Sequence, residues 1–279
     1  MSSDTLKGHL ELLRPLNVGI VFLTIAAAVI LAGVAVAQWP TILLASLAGA
    51  LIAGGGNAIN DYFDLEIDRV NRPNRPLPRG AATQLGALWL WGVTSGIGLL
   101  LSASLGAGTL AIALFWVISL YFYSKSLKRT VLAGNILVGI MTGLAFVFGG
   151  VAVGHAERSF FPALFAFLIN VARELVKDVE DLEGDAKGNA GTLPVKYGVK
   201  PALVLASLII TLLIVATFLP YSSGMYSFNY LALVLVVNAA LLYVIVSMWK
   251  DRSPANLGKL SMILKVDMVG GLVAIFLGS

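Results

Sequence analysis

Long apolar runs alternate with short polar segments along almost the whole chain, and this pattern predicts membrane-spanning helices. A helix needs about 20 apolar residues to cross the hydrocarbon core of a bilayer. Nine runs reach or approach that length, at 16–37, 41–60, 84–105, 108–124, 132–154, 160–180, 201–219, 228–249 and 258–278. The pattern therefore predicts an all-α integral membrane protein with nine transmembrane helices. A count of eight is the nearest alternative.

The composition supports this fold class. Hydrophobic residues make up 58% of the chain, charged residues only 12%, and the mean hydropathy is +0.89. A soluble domain carries about 25% charged residues, so this chain lacks the polar groups for a water-facing surface. The absence of cysteine excludes disulfides and thiolate metal sites.

The basic residues are distributed unevenly between the two sides of the predicted membrane. Seventeen of the nineteen Lys and Arg residues fall on one side, Arg158 falls on the other, and Lys265 lies inside the last run. Basic loops are retained in the cytoplasm. We therefore expect a multi-pass protein of the cell membrane whose N-terminus and charged loops are cytoplasmic and whose C-terminus is external. The net charge of +4 reflects this topology, and no nucleic acid partner is expected.

Two polar segments, at 57–80 and 170–194, carry matched triplets of aspartate. The triplets are Asp61, Asp64 and Asp68, and Asp178, Asp181 and Asp185. A spacing of i, i+3, i+7 places three carboxylates on one face of a helix. The triplets lie at the ends of the second and sixth runs, four places apart in the order of runs, so these two runs are candidates for equivalent parts of an internal repeat.

The triplets predict a metal site. Carboxylates at this spacing repel one another and bind protons unless cations lie against them. Oxygen ligands without His or Cys suit Mg²⁺, which favours a few carboxylates together with substrate phosphate oxygens. We predict two Mg²⁺ ions that bridge the carboxylates and a diphosphate. These ions would stabilise the negative charge that builds up on the diphosphate when it acts as a leaving group. Ion pairing with neighbouring Arg and Lys is the alternative to a metal site. It explains a single triplet equally well, but it explains two triplets of identical spacing poorly.

Basic and aromatic residues near the triplets are candidates for substrate binding. Arg72 and Arg75 follow the first triplet in a proline-rich loop, where they either clamp a diphosphate or lock the loop to the acids. The end of the fourth run carries four further candidates, whose alternative role is that of an ordinary interfacial helix end. They are Tyr121, Tyr123, Lys125 and Lys128. Candidates beside the triplets themselves are Asn57, Asn60, Arg173 and Lys177.

Lys265 and Asp267 lie within the last apolar run, where a charge costs several kcal/mol unless it faces a partner or a wet cavity. Residues at i and i+2 do not share a helix face, so the two are poor partners for each other. We expect Lys265 to face a cavity and to contact an anionic substrate. The alternative is a structural pair of Lys265 and Asp267.

These motifs resemble those of the UbiA superfamily of intramembrane prenyltransferases. NDYFDLEID matches NDxxDxxxD, DLEGD matches the second DxxxD motif, and YFYSK at Tyr121–Lys125 is similar to YxxxK, with Lys128 as an alternative register. The resemblance covers nearly the whole chain. It implies that Mg²⁺ and a diphosphate are held by five aspartates with two supporting asparagines, namely Asp61, Asp64, Asp68, Asp181, Asp185, Asn57 and Asn60.

The resemblance implies nine helices in one domain over residues 1–279, with two four-helix-like repeats and a central cavity capped by the two acidic loops. Within the superfamily the sequence is most similar to enzymes that add a second geranylgeranyl chain to geranylgeranylglyceryl phosphate. The expected partners are a prenyl diphosphate, a lipid acceptor and the surrounding membrane lipids. Alternatives are an aromatic acceptor and, in another class, a cation transporter. The expected catalytic residues are Asp61, Asp64, Asp181, Asp185 and Lys125.

Overall fold

The computed structural model describes residues 3–33 and 38–278, which fold almost entirely into helices and contain no strand. The helices are α1 (Ser3–Leu12), α2 (Pro15–Leu31), α3 (Trp39–Asn71), α4 (Gln84–Leu105), α5 (Ala107–Lys125), α6 (Ala133–Ala152), α7 (Phe160–Glu180), α8 (Leu182–Lys187), α9 (Leu193–Tyr197), α10 (Val199–Ala216), α11 (Leu219–Ser222), α12 (Phe228–Lys250) and α13 (Pro254–Gly278). Short 3₁₀ turns lie at Leu127–Arg129 and Ala156–Ser159.

Eight of the nine predicted spans are confirmed as helices that are long and apolar enough to cross a membrane. The ninth, α2, is apolar but has 17 residues, which gives it a length of about 26 Å, at the lower limit for a span. Its predicted run, 16–37, ends in residues 34–37, which lie outside the described part of the chain. The protein is therefore a multi-pass helical membrane protein.

Helix α3 differs from its predicted run at its C-terminal end, because it continues eleven residues beyond Asn60 to Asn71. No Gly or Pro interrupts the sequence between Asn57 and Asn71. The helix ends before Pro73, because the residue that precedes a proline disfavours the helical conformation. The polar end of α3 therefore carries the first aspartate triplet on a regular helix.

The chain divides into two compact units, the first of which comprises Met1–Lys128 and Leu144–Ser159. Within it α3 is the central helix and packs against α2, α4 and α5, while the short α1 packs against α3 and α4. A small apolar core fixes the loop after α3 to this end of the unit. It consists of Leu12, Ala58, Leu65, Leu77, Ala82 and Ala87, all buried.

The second unit comprises Arg129–Gly143 and Phe160–Ser279. Its central helix is α7, which packs against α10 and α13, and α12 packs against both α10 and α13. Its core is larger and is formed by Leu175 of α7, Leu203 of α10, Leu241 of α12 and Leu260 of α13 with their neighbours. This core surrounds the helix that carries the start of the second triplet.

Small residues allow α3 and α4 to approach closely in the first unit. A Cβ atom on Gly98 of α4 would lie 2.6 Å from a side-chain carbon of Ile52 and 2.9 Å from the backbone oxygen of Ala48. On the facing side, a Cβ atom on Gly55 would lie 2.6 Å from the Thr94 hydroxyl. Membrane helices associate through such contacts, since the lipid provides no hydrophobic drive.

This packing predicts that Gly98→Val destabilises the protein, because the backbone of Ala48 cannot move aside. The cost should be about 1–3 kcal/mol, as for other overpacked sites, and should appear as a lower melting temperature in detergent. Gly96→Val is the matched control, because a Cβ atom at Gly96 on the same helix meets nothing within 4 Å. Equal melting temperatures for the two variants would contradict the proposed close contact.

Candidate active site

The first aspartate triplet lies on one face of the polar end of α3. Asp61 and Asp68 are buried, with 4% and 5% of their surface exposed, and Asp64 is half-buried. A buried carboxylate retains its charge only when it has cationic or hydrogen-bonding partners. The contacts of this row therefore determine its charge state.

Two arginines from different parts of the chain neutralise Asp61 and Asp68. The Arg75 Nη1 atom lies 3.3 Å from Asp61 Oδ1 and 2.5 Å from Asp68 Oδ2, so one guanidinium nitrogen bridges both carboxylates. Arg14 donates a hydrogen bond to Asp61 Oδ1 at 2.5 Å. Of the two roles considered for Arg75, the contacts support locking of the loop to the acids.

Lys128 forms an equivalent bridge at the middle of the row. Its Nζ atom donates to Asn60 Oδ1 at 2.9 Å and to Asp64 Oδ1 at 2.5 Å. Asn60 also donates to the other carboxylate oxygen of Asp64 at 3.0 Å. Lys125, in contrast, is exposed, and its ammonium lies 5.8 Å from the centre of the Tyr121 ring. The structure therefore brings Lys128, and not Lys125, to the acidic row.

Aromatic rings pack beside this row. The Tyr121 ring contacts Phe63 edge-on, with centroids 5.4 Å apart, and lies 5.7 Å from Trp91. The Trp91 indole nitrogen is buried without a hydrogen-bond partner. Tyr123 is half-buried on the same helix as Tyr121. Tyr121 therefore belongs to an aromatic cluster that includes Phe63, the residue before Asp64 on α3.

The second triplet begins on α7 and ends on α8. The predicted end of the sixth run at 180 is confirmed, but the expectation that all three aspartates lie on one helix is wrong, because the helix is interrupted at Asp181. Asp181 lies between the two helices, with φ −89° and ψ 7°. Its N–H still bonds to the Lys177 carbonyl at 2.8 Å, and the Asp185 N–H bonds to the Asp181 carbonyl at 2.9 Å. The interruption makes Asp181 the N-cap of α8, where the positive end of the helix dipole favours a carboxylate.

The partners of the second row are uncharged. The Asn135 amide donates to Asp178 at 2.7 Å, and the Thr192 hydroxyl donates to Asp185 at 3.1 Å. Arg173 pairs with Glu174 instead. Within residues 3–33 and 38–278, no Lys or Arg forms a salt bridge with this row, and Lys177 is half-buried beside it.

Asp185 lies outside the membrane-spanning segments, and the pKa of its carboxyl group reflects burial without a salt-bridged cation in the described part of the chain. Burial raises the pKa of its carboxyl above the ordinary value, the Thr192 hydrogen bond opposes the rise, and the charge of Asp181 adds to it. The rise in pKa means that the charged form of Asp185 is less favourable here than in water, and nearby positive charge acts against this effect. A cation bound at this row would therefore also favour ionisation of Asp185.

The residues present fit a hard cation. No group of three or more acidic or imidazole side chains converges on one point in the described part of the chain. Mg²⁺ does not need such a cage, because it takes one or two carboxylates together with waters and substrate phosphate oxygens. Arg75 places a cationic nitrogen between Asp61 and Asp68, and Lys128 places one between Asp64 and the neighbouring Asn60, so the first row already holds positive charge at two points.

Arg14 was not predicted as a site residue from the sequence. It was counted only among the basic residues on one side of the membrane. Its backbone adopts the left-handed conformation, with φ 53° and ψ 71°, immediately before Pro15. A non-glycine residue held in this region costs of order 1–3 kcal/mol. Asn57, which was predicted as a site residue, supports this turn: its amide donates a hydrogen bond to the Leu13 carbonyl at 2.9 Å and so holds the turn to α3.

A cavity of about 520 Å³ opens in front of Asp61. It lies between the end of α1 and the loop after α3. Its lining comprises Glu11, Arg14, Asp61, Arg72, Pro73, Asn74, Arg75 and Pro76. Three guanidinium groups line it against two carboxylates.

The structure places Lys265 and Asp267 in different environments. Lys265 is exposed on α13, eleven residues or about 16 Å after the helix begins, and Asp267 is buried. One Asp267 carboxylate oxygen has no hydrogen-bond partner, and the described residues show no salt bridge between the two. The contacts therefore do not support a structural pair.

A helical membrane protein with two aspartate rows of matched spacing, flanked by basic and aromatic side chains, is typical of an intramembrane prenyltransferase. The model of the UbiA prenyltransferase family matches residues 21–266, and the chain belongs to this family.

Relatives in this family match the chain over its whole length. The digeranylgeranylglyceryl phosphate synthase of Methanopyrus kandleri is 37% identical, and the alignment covers 98% of this chain and 99% of the relative. The synthase of Thermococcus kodakarensis is 36% identical over 98% of each chain. The solved structure of a digeranylgeranylglyceryl phosphate synthase has a TM-score of 0.86 and 32% identity, over 99% of this chain and 98% of that one.

A more distant solved structure shares the fold. The UbiA homologue of Archaeoglobus fulgidus, bound to DMAPP and Mg²⁺, has a TM-score of 0.72 and 20% identity. Coverage is 96% of this chain and 99% of that one.

The contacts of the first row predict a difference between two neighbouring lysines. Lys128→Met removes the cation beside the half-buried Asp64 and should lower stability by about 1–3 kcal/mol, measured as the melting temperature of metal-free protein in detergent. Lys125→Met, which removes an exposed charge at the same helix end, is the control and should change it little. A larger effect at Lys125 would refute the assignment of Lys128 to the row.

Proposed function

We propose that this chain transfers a geranylgeranyl group from its diphosphate to the free hydroxyl of geranylgeranylglyceryl phosphate, in the synthesis of ether lipids. The observation that carries the proposal is the similarity to digeranylgeranylglyceryl phosphate synthases, at 36–37% identity with almost complete coverage of both chains. In the reaction the acceptor oxygen bonds to the allylic carbon as the bond from that carbon to the diphosphate breaks. The hydroxyl proton passes to a carboxylate or to the leaving diphosphate.

The aspartates of both rows hold the diphosphate through Mg²⁺ in this proposal. When bound, Mg²⁺ supplies positive charge that stabilises the leaving diphosphate. Two structures of the UbiA homologue of Archaeoglobus fulgidus, one bound to DMAPP and one to GPP, also contain Mg²⁺, which supports this cofactor. Lys128 and Arg75 hold the first row in place, and their cationic groups would bind phosphate oxygens of the diphosphate if Mg²⁺ were held by the aspartates.

The aromatic residues beside the first row have a separate role in the proposal. The allylic carbon becomes electron-poor as the diphosphate leaves, and the faces of aromatic rings attract positive charge. Tyr121 supplies such a ring in this proposal, and it packs against Trp91 and against Phe63, the residue before Asp64. These rings also exclude water, which would otherwise compete with the acceptor hydroxyl.

The proposal predicts that turnover requires a divalent cation and both aspartate rows. Asp61→Ala, Asp64→Ala, Asp181→Ala and Asp185→Ala should each lower turnover by orders of magnitude, because each removes a ligand of the ion or of its diphosphate complex. The assay uses purified protein, labelled geranylgeranyl diphosphate, Mg²⁺ and a panel of lipid and aromatic acceptors.

Glu66→Ala and Glu183→Ala are the matched controls, since both remove exposed acids next to the rows. Near-normal rates from folded Asp64→Ala and Asp181→Ala variants would exclude the two-row site. Efficient prenylation of an uncharged aromatic acceptor, without turnover of the glycerolipid, would show instead that the protein is one of the family members that use aromatic acceptors.

The same proposal places the aspartate rows on the cytoplasmic side of the membrane, with the N-terminus, and places the C-terminus outside. The asymmetric distribution of Lys and Arg supports this orientation.

Reporter fusions test the orientation directly. Fusions after Arg79, Lys128, Gly191 and Ser253 should report a cytoplasmic location, because all four follow basic segments. Fusions after Gln38 and Ser222, in connections without Lys or Arg, should report an external one. An external signal at Gly191 would mean that the two rows lie on opposite sides of the membrane, and the proposed site would be impossible.

A further inference from the structure

One guanidinium group that lines the cavity in front of Asp61, that of Arg72, forms no salt bridge with the aspartate rows in the described part of the chain. Arg14 and Arg75 are both bound to Asp61, and Glu11 is bound to Arg79 at 2.6 Å. The exposed Arg72 has no salt bridge or side-chain hydrogen bond in the described part of the chain. The positive charge that remains in the cavity therefore resides on Arg72, and this charge suits an anion.

The wall of the cavity is rigid enough to form a binding site. The Pro76 carbonyl accepts hydrogen bonds from the backbone N–H groups of Ala81 and Ala82, at 2.9 and 3.1 Å. Leu77 and Ala82 are buried in the core at this end of the first unit. Pro73 and Pro76 restrict the backbone further. Arg72 therefore lies where α3 joins a loop that is held to the protein by backbone hydrogen bonds and by buried side chains.

The chemistry of the proposed acceptor places an anion close to the first row. In geranylgeranylglyceryl phosphate the reacting hydroxyl and the phosphate are attached to adjacent carbons. Their oxygen and phosphorus atoms can be separated by only about 4–5 Å, given ordinary bond lengths. The hydroxyl must reach the allylic carbon of a diphosphate held at the aspartates. The acceptor phosphate must therefore bind a few ångströms from the row, where it needs a cation of its own.

We propose that the cavity lined by Arg14, Asp61 and Arg72–Pro76 binds the phosphate monoester of the acceptor, and that Arg72 is the residue that recognises it. This inference rests on the proposed function and adds the site of acceptor recognition to it. A planar guanidinium donates two parallel hydrogen bonds to a phosphate, and the Asn74 amide on the same wall can add a third. Lys265 is the competing candidate, because it is exposed within the last membrane span.

The test compares two acceptors that differ only in the phosphate, geranylgeranylglyceryl phosphate and geranylgeranylglycerol, with labelled geranylgeranyl diphosphate as donor. Arg72→Gln should lower kcat/KM for the phosphorylated acceptor by about ten- to a hundred-fold, the loss expected for one charge-assisted contact. It should leave kcat/KM for geranylgeranylglycerol and the KM of the donor unchanged. Arg72→Lys should restore part of the loss.

Arg69→Gln is the matched control, because Arg69 is exposed on the same helix, pairs with Glu66 and does not line the cavity. A second readout is independent of turnover. Without Mg²⁺, geranylgeranylglyceryl phosphate should raise the melting temperature of the wild type and of Arg69→Gln, but not that of Arg72→Gln.

Three results would overturn the inference. These are an equal loss on both acceptors, a raised KM for the donor in Arg72→Gln, and a phosphate-specific loss in Lys265→Met with none in Arg72→Gln. Failure of the proposed function is distinguishable from all three, since the wild type would then turn over neither acceptor.

Discussion

Three carboxylates that share one face of α3 remain ionised at the end of a membrane-spanning helix only if positive charge lies against them. Salt bridges in the described part of the chain bring such charge from distant positions in the sequence. Arg14 precedes α2, Arg75 lies in the loop after α3, and Lys128 follows α5. Much of the local architecture serves to bring these groups together. The strained backbone at Arg14 and the proline-rich loop both hold a cation at a fixed position beside an aspartate.

The two rows have the same spacing but opposite means of compensation. The first is neutralised by Arg and Lys, and the second is supported by an asparagine and a threonine. Ion pairing, which competed with a metal site in the interpretation of the sequence, therefore describes the contacts of the first row, whereas the second row has no salt bridge among the residues that the structure describes. If Mg²⁺ binds at both rows as proposed, it would share or replace the cations that already contact the first row, whereas the carboxylates of the second row form no salt bridge in the described part of the chain. Binding of a cation would therefore disrupt existing salt bridges at the first row, but it would add the first salt-bridging charge at the second row.

The sequence predicted the helices well because each depends on a local pattern. The limits of α4 and α7 agree with the predicted runs to the residue, since an apolar stretch bounded by polar residues marks a span directly. The spacing of the aspartates likewise predicted a shared helix face. Prediction was less successful at Asp181, where one residue leaves the helix. Propensity alone does not distinguish a continuous helix from two helices joined at an N-cap.

The sequence by itself determined that this is a helical membrane protein with two rows of carboxylates, because hydrophobic length and residue spacing are properties of short segments. Only the tertiary structure decided which cations meet those carboxylates. Arg14 lies 47 residues from Asp61, and Lys128 lies 64 residues from Asp64. Lys125 and Lys128 look equivalent in the sequence, and only the packing of α5 against α3 makes one a partner of Asp64 and leaves the other exposed. Contacts between residues so far apart depend on how the helices pack, and no local pattern records that packing.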